Sequence, residues 1–403
     1  MQINEFFNEF DFDIRKSGDG RWCDQKCTPD VICIIAECVL QYCKQTDEEY
    51  FTSKDIWNFD YTTELIELYF NKPKPNDKKA INEYDKFFQQ PLNLLSYSKV
   101  ILREKRGNRN FYKINNSDIL NFISRNDKNS YLFLVKYFNK VLKDSDLLNE
   151  FNIFFETQDT NSFKNLKNIF ENFIIKYTNI NGRTEVRRIF PKVLNTLACY
   201  NKKKGTYRGQ LSKNTINFSD LLYNSLNFRD IYSNKPKEIT RQEWMEKQEL
   251  KPAIAVIEYK SNRAIKFIRE YNDNYRKGYS EAYDEHQDLG THFHHIFPKS
   301  EFPEISFYYE NIIALSPTQH LTYAHPKGDT HNIDMDYQIF LLYEKAKRIY
   351  ENIENKDVPT IYDFENFVEI LNKGFNKNYP IEDISYKKIL KMLHELTRKE
   401  HSL

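Results

Sequence analysis

Several things are scarce or missing in this chain, and each absence excludes something. Glycine is scarce, with 10 in 403 residues, too few for an all-β chain of tight turns or for long flexible tracts. No run of about 18 apolar residues occurs, and Met1–Asp11 lacks a basic segment followed by an apolar one. Neither membrane spanning nor secretion is therefore expected, and the cytoplasm is the expected location. An excess of charge is missing too: 59 Lys and Arg stand against 58 Asp and Glu, leaving +1, so any nucleic-acid surface has to be a local basic patch. Cysteine is limited to six, none beyond Cys199 and none spaced as CxxC, so no structural zinc is expected. Five of them (Cys23, Cys27, Cys33, Cys38, Cys43) share one stretch and read as buried reduced thiols. What the chain has in quantity, 40% hydrophobic and 15% aromatic residues, suffices for sizeable cores, and its length suggests two to four domains.

Histidine is concentrated. Five of nine lie in Thr291–Pro326, the densest group of potential metal or proton-handling side chains. His294 and His295 close a short β-like run, where neighbouring side chains point to opposite faces; one can face a metal and the other water. Asn311 precedes the apolar run Ile312–Leu315 and is placed to fix the loop or to orient a base. Ser316-Pro317 then opens a helix, proline suiting its first turn, and that helix carries His320 back across the hairpin as a second ligand. Hydrolysis of a phosphodiester needs these two parts, a cation to neutralise charge and a base to take a proton from water.

The order of a histidine pair, an asparagine and a helical histidine resembles the HNH, or ββα-metal, nuclease motif. The resemblance implies His294 and His320 as metal ligands, His295 as general base, and Asn311 as the residue that orders loop and base. Some nucleases of this class carry another histidine one turn further on; here that position is Ala324 and His325 comes one residue late. On an α-helix a five-residue step shares a ligand face poorly, so His325 is a candidate for metal or for phosphate. Three blocks, RKSG…TPDV, RIFPKVLN…KKKGTYRGQLSK and HHIFPKSEFPE…NIIALSPTQH, are together similar to HNH-type bacterial type II restriction endonucleases, up to about Ile339. That resemblance implies sequence-specific cleavage of double-stranded DNA to 5′-phosphate and 3′-hydroxyl ends. It implies Mg²⁺ as cofactor, or Mn²⁺ or another divalent transition metal, which imidazole ligands accept. It also implies a homodimer or a transient dimer on DNA, and a cognate DNA methyltransferase as genetic partner. The alternatives are a DNA-binding regulator with a structural metal site and a non-specific nuclease toxin.

The expected fold class is α+β, mostly α, and multidomain. Residues 1–125 form a DNA-recognition region with a winged helix at about 51–114: helices at Lys54–Trp57, Thr63–Phe70 and Asp77–Gln90, then a hairpin of Lys99–Arg103 and Asn110–Ile114. Candidate DNA contacts are Arg15, Lys16, Arg21 and Lys26 in an exposed glycine-broken loop, Arg103, Lys105, Arg106 and Arg109 on the wing, and Lys202, Lys203, Lys204 and Arg208 in a basic loop whose glycines let backbone approach phosphate. A helical middle region covers 126–250, the HNH domain 251–345 and a helical tail 346–403. Within the HNH domain, Glu258-Tyr259-Lys260 is half of the Glu-x-Lys motif of another nuclease class, without the upstream acidic ligand that class needs.

Overall fold

The protein is seen in a computed structural model that describes residues 3–70, 72, 81–223, 236, 238–239, 241–283, 287–325, 334–380 and 384–400. It is predominantly helical, with three two-stranded antiparallel sheets among the described residues. The chain divides into two compact units, Met1–Lys247 and Gln248–Leu403. The boundaries expected at 125 and 345 do not separate anything: a common core crosses the first, and one helix, Met335–Glu354, runs through the second.

In the first unit, α1 (Ile3–Asn8) and α2 (Ile14–Ser17) lead to α3 (Pro29–Thr46), whose residues from Pro29 to Val39 are all buried. Thr28 takes the N-cap position and Pro29 the first helical one, but the Thr28 hydroxyl makes no cap bond. Cys33 and Cys38 are buried on α3, Cys23 and Cys27 just before it, none of them in a disulfide. Next come α4 (Ser53–Asn58), opened by a Thr52–Asp55 capping box, α5 (Asp60–Phe70) and α6 (Ile81–Tyr97). The expected linker at Pro73 and Pro75 and the start of the third helix at Asp77 lie outside the described residues. Helix α6 runs through Pro91 to Tyr97, seven residues beyond the expected end at Gln90, and buries Phe87 and Phe88.

The hairpin follows as β1 (Ile101–Arg106) and β2 (Arg109–Ile114), in register Arg106↔Arg109 around Gly107-Asn108. Glu104–Arg106 are thus strand rather than loop. Phe51 adds a third, single-residue pairing to Tyr112, with mutual backbone bonds of 2.9 and 2.8 Å. Helices α7 (Ser117–Arg125), α8 (Asp127–Asp144), α9 (Leu148–Thr157), α10 (Thr160–Tyr177) and α11 (Arg183–Tyr200) complete the unit with the hairpin β3 (Lys204–Tyr207) and β4 (Gln210–Thr215). Trp22 packs edge-on against Tyr137 and Phe138 of α8, at 6.3 and 5.7 Å between ring centroids, which ties the N-terminal and middle regions into one core.

Helix α12 (Arg241–Arg276) crosses the boundary between Lys247 and Gln248, and the second unit continues with β5 (His292–His295) and β6 (Ile312–Leu315), paired His292↔Leu315 to His295↔Ile312. Both faces of β6 are buried. A short helical turn follows, then α13 (Met335–Glu354), α14 (Phe364–Gly374) and α15 (Tyr386–Glu400). These last helices are not a separate tail, because Phe367, Leu371, Ile389 and Leu393 share one apolar cluster with Ile296, Ile312 and Ile313.

The outer edge of β6 is paired by Glu281, whose N–H donates to the Ala314 carbonyl at 2.7 Å while its carboxylate accepts the Ala314 N–H at 2.9 Å. That buried carboxylate is offset by Lys345, 3.3 Å away, and by the Tyr362 hydroxyl at 3.0 Å. The Lys345 and Arg276 cations hold Glu281 below the usual carboxylate range against the burial that raises it. At Gly374 an added Cβ would stand 2.1 Å from the buried Phe297 ring, so Gly374→Ala is expected to destabilise this unit by about 1–3 kcal/mol through overpacking. Urea denaturation followed by far-UV circular dichroism checks this.

Candidate metal centre

Strand β5 alternates, and the alternation separates its two central histidines. His294 is buried, while His295 is half-buried with its Nε2 2.9 Å from the Ser261 hydroxyl and 3.0 Å from the Ser306 carbonyl oxygen. A carbonyl only accepts, so His295 Nε2 carries the proton and Nδ1 keeps a lone pair. Asn311 does not orient this ring. Its side chain is fully buried, with Oδ1 accepting the Phe297 N–H at 2.9 Å and Nδ2 donating to the carbonyls of Phe297 (3.0 Å) and Ile305 (3.3 Å). Asn311 therefore closes the loop between the strands, and Ser306, delivered by that loop, orients His295.

The turn after β6 starts as expected: Ser316 Oγ accepts the Gln319 N–H at 3.3 Å, and Pro317 follows the cap. Gln319 secures it, its Oε1 accepting from the Ser280 hydroxyl (2.6 Å) and the Ser316 N–H (2.9 Å). The coil then widens to a π-helix over Gln319–Ala324, and the His325 N–H donates to the His320 carbonyl at 3.2 Å, five residues back. This corrects the reading of His325 from an α-helical step. A π-turn absorbs the extra residue and brings the His325 ring to 4.9 Å from His320 and 5.0 Å from His294, with His294 and His320 at 5.4 Å.

One ligand atom from each of these three imidazoles lies within 4.8 Å of the others, the only such group among the described residues. His294 Nε2 and His320 Nδ1 are buried without any hydrogen-bond partner, a costly state for a polar atom unless a ligand meets it. Burial drives the His294 imidazole down to about 3, reinforced by His320 and His325, and burial drives His320 down to about 4. His295 is lowered by burial as well, against the Ser306 carbonyl, which favours its charged form. His294 and His320 are therefore neutral at pH 7, the form that ligates. Three imidazoles without a carboxylate fit a divalent transition metal better than a hard cation.

The unfolded chain takes up protons near pH 6.5 where folded His294 does not, so stability falls as pH drops below about 6.5. For His294 alone the loss reaches roughly 2 kcal/mol at pH 5. Urea midpoints of the metal-free protein are expected to fall between pH 7.5 and 5, and to fall less in His294→Gln.

His292 has no role in the sequence reading, yet it sits with the group: two residues before His294 on the same strand face, its ring is 5.0 Å from His320. The i, i+2 spacing on a strand was the available signal. Glu258 and Lys260 lie on α12, where residues two apart face away from each other, and Lys260 Nζ lies over the Phe307 ring at 5.1 Å, so Glu-x-Lys forms no site here.

The basic candidates of the first unit divide. Arg15 is paired with Asp13 and Asp146 at 2.9 and 2.8 Å, Lys16 with Asp11, and Arg21 with Asp24 and Glu185 at 2.6 and 2.8 Å. Lys26 is buried, contrary to its expected exposure, with Nζ 3.0 Å from the Tyr223 hydroxyl. That segment is tied down by its own acids. On the β1–β2 hairpin, Arg106 pairs with Glu104 at 2.8 Å and Arg103 lies 3.7 Å from Asp19, while Lys105 and Arg109 are exposed. The stretch read as a basic loop is the β3–β4 hairpin, with Lys202 and Arg208 exposed and Lys203 and Lys204 half-buried. Gly205 serves packing rather than phosphate, since a Cβ there would meet Asn195 Oδ1 at 2.4 Å. No family model, no curated protein and no solved structure matches this chain.

Proposed function

We propose that this protein is a metal-dependent endonuclease acting on double-stranded DNA at specific sequences, of the HNH type II restriction class. One observation carries the reading: two adjacent histidines are separated, His294 into a three-imidazole cluster in which its own Nε2 and the Nδ1 of His320 have no partner, and His295 onto a carbonyl that leaves its Nδ1 lone pair available. That is the division between ligand and base that phosphodiester hydrolysis requires.

His294, His320 and His325 would hold the cation, which would supply Lewis-acid stabilisation of charge on the phosphate and the departing 3′ oxygen. His295 accepts the proton of the attacking water at Nδ1 while Nε2–H stays on Ser306, so the imidazolium that forms is stabilised by that carbonyl. Asn311 keeps Ser306 in place through Phe297 and Ile305. The products carry 5′-phosphate and 3′-hydroxyl ends. In the first unit, α4, α5, α6 and the β1–β2 hairpin follow the element order of a winged helix, which suits a DNA-reading region.

The test is incubation of the purified full chain with unmethylated phage DNA, with Mg²⁺, Mn²⁺, Co²⁺ or Ni²⁺ or with EDTA. Discrete fragments in the presence of metal are expected. Retarded but uncut DNA would favour a regulator, and a smear a non-specific nuclease.

A further inference from the structure

We propose that the tip of the β3–β4 hairpin, Tyr207-Arg208, enters the minor groove of double-stranded DNA. The inference rests on the reading of the chain as a DNA-acting protein and names the element that makes the contact.

The turn is strained and rigidly held. Tyr207 pairs with Gln210 across a two-residue turn in which Arg208 has φ 50° and Gly209 φ 79°, the signature of a primed hairpin turn. Glycine takes that conformation freely, but arginine does not, so Arg208 depends on its support. Three helices provide it. Gln158 at the end of α9 accepts the Lys204 N–H at 2.6 Å and donates to its carbonyl at 3.4 Å. Asn195 of α11 does the same for Thr206 at 2.7 and 2.9 Å. Lys167 of α10 donates to the Gly209 carbonyl at 3.0 Å, at the tip itself.

What this support presents is an exposed aromatic ring, Tyr207 at 57% exposure, with the Arg208 guanidinium 5.3 Å from its centroid. From Lys202 to Lys213 the hairpin has five bases and no acid. The acids that tie down Arg15, Lys16, Arg21, Arg103 and Arg106 have no counterpart bonded to Arg208 among the described residues.

Geometry selects the groove. A two-stranded ribbon can lie in the major groove, about 12 Å wide, only with both strands accessible. Here Gly205 and Thr206 of β3 are buried against α11, which leaves the tip as the part that can penetrate. A single arginine fits the minor groove, about 6 Å wide, and is drawn to its negative potential where A·T tracts narrow it.

The experiment is fluorescence anisotropy of the full-length protein on A·T-rich and G·C-rich duplexes, in EDTA to prevent cleavage. Arg208→Ala is expected to weaken A·T-rich binding about tenfold or more and G·C-rich binding much less, with unchanged thermal melting. Arg208→Lys is expected to keep the salt dependence but lose the A·T preference. Netropsin should displace the wild type from the A·T-rich duplex. Equal binding by wild type and Arg208→Ala, failure of netropsin to compete, or absence of duplex binding by the wild type overturns the proposal. Cleavage assayed separately with Mn²⁺ distinguishes the two readings. Cutting with no dependence on Arg208 overturns this contact alone; Arg208-dependent binding without cutting by the wild type overturns the nuclease reading alone.

Discussion

His295→Ala is expected to lose DNA cleavage by roughly 10²–10⁴-fold, the range for removal of a general base, while binding metal and DNA as the wild type does. The separation follows from strand geometry. His295 points away from the face that carries His294, and its Nε2 meets the Ser306 carbonyl at 3.0 Å and the Ser261 hydroxyl at 2.9 Å. Neither of these is a member of the imidazole cluster, so truncating His295 leaves His294, His320 and His325 in place. Cleavage of a labelled duplex under single-turnover conditions, beside isothermal titration with Ni²⁺, reads both quantities. Cutting by His295→Ala at a near-normal rate would remove it as the base.

His294→Ala is expected to do the reverse, abolishing metal binding and, with it, cutting. Among the three clustered imidazoles His294 is the most enclosed, and its Nε2 has no alternative partner. Losing an outer partner of a metal ligand lowers affinity about 10–100-fold, so loss of the ligand itself should exceed that. His325→Ala should weaken the metal comparably if the π-turn places it as a third ligand; an unchanged affinity would return it to the role of a phosphate contact. EDTA should silence the wild type, with Mn²⁺, Co²⁺ or Ni²⁺ restoring it.

How far the sequence revealed this site depended on whether the cause was local. His294 and His295 diverge because strand side chains alternate, Ser316-Pro317 opens a helix because of capping chemistry, and the run after Asn311 reads as a strand because four consecutive apolar side chains suit one; each rests on neighbours in sequence. The rest rested on distant partners. The orientation of His295 depends on Ser261 and Ser306, and a buried amide such as Asn311 can satisfy its donors and acceptors in several ways that only the folded loop decides. The place of His325 depends on a helical turn widening by one residue, which no periodicity in so short a segment discloses.

The same holds for the basic residues. Arg15 meets Asp146 and Arg21 meets Glu185 across more than a hundred residues, so a loop that reads as free cations is a set of ion pairs. The Lys202–Lys213 stretch read as a loop because its strands are short and polar, and what orders them comes from Gln158, Lys167 and Asn195. The apolar periodicity of the C-terminal helices was visible, whereas the core that they share with β5 and β6 was not.

The most direct measurement is a titration of the metal-free, full-length protein with Mn²⁺ or Co²⁺ in which bound metal and DNA cleavage rate are followed together, for the wild type and His295→Ala. The wild-type rate is expected to rise with, and saturate at, one bound metal ion per chain, and His295→Ala is expected to bind the same single ion with cleavage reduced at least a hundredfold. Wild-type protein that fills its site without cutting DNA, or that cuts equally well with no metal bound, would contradict this expectation.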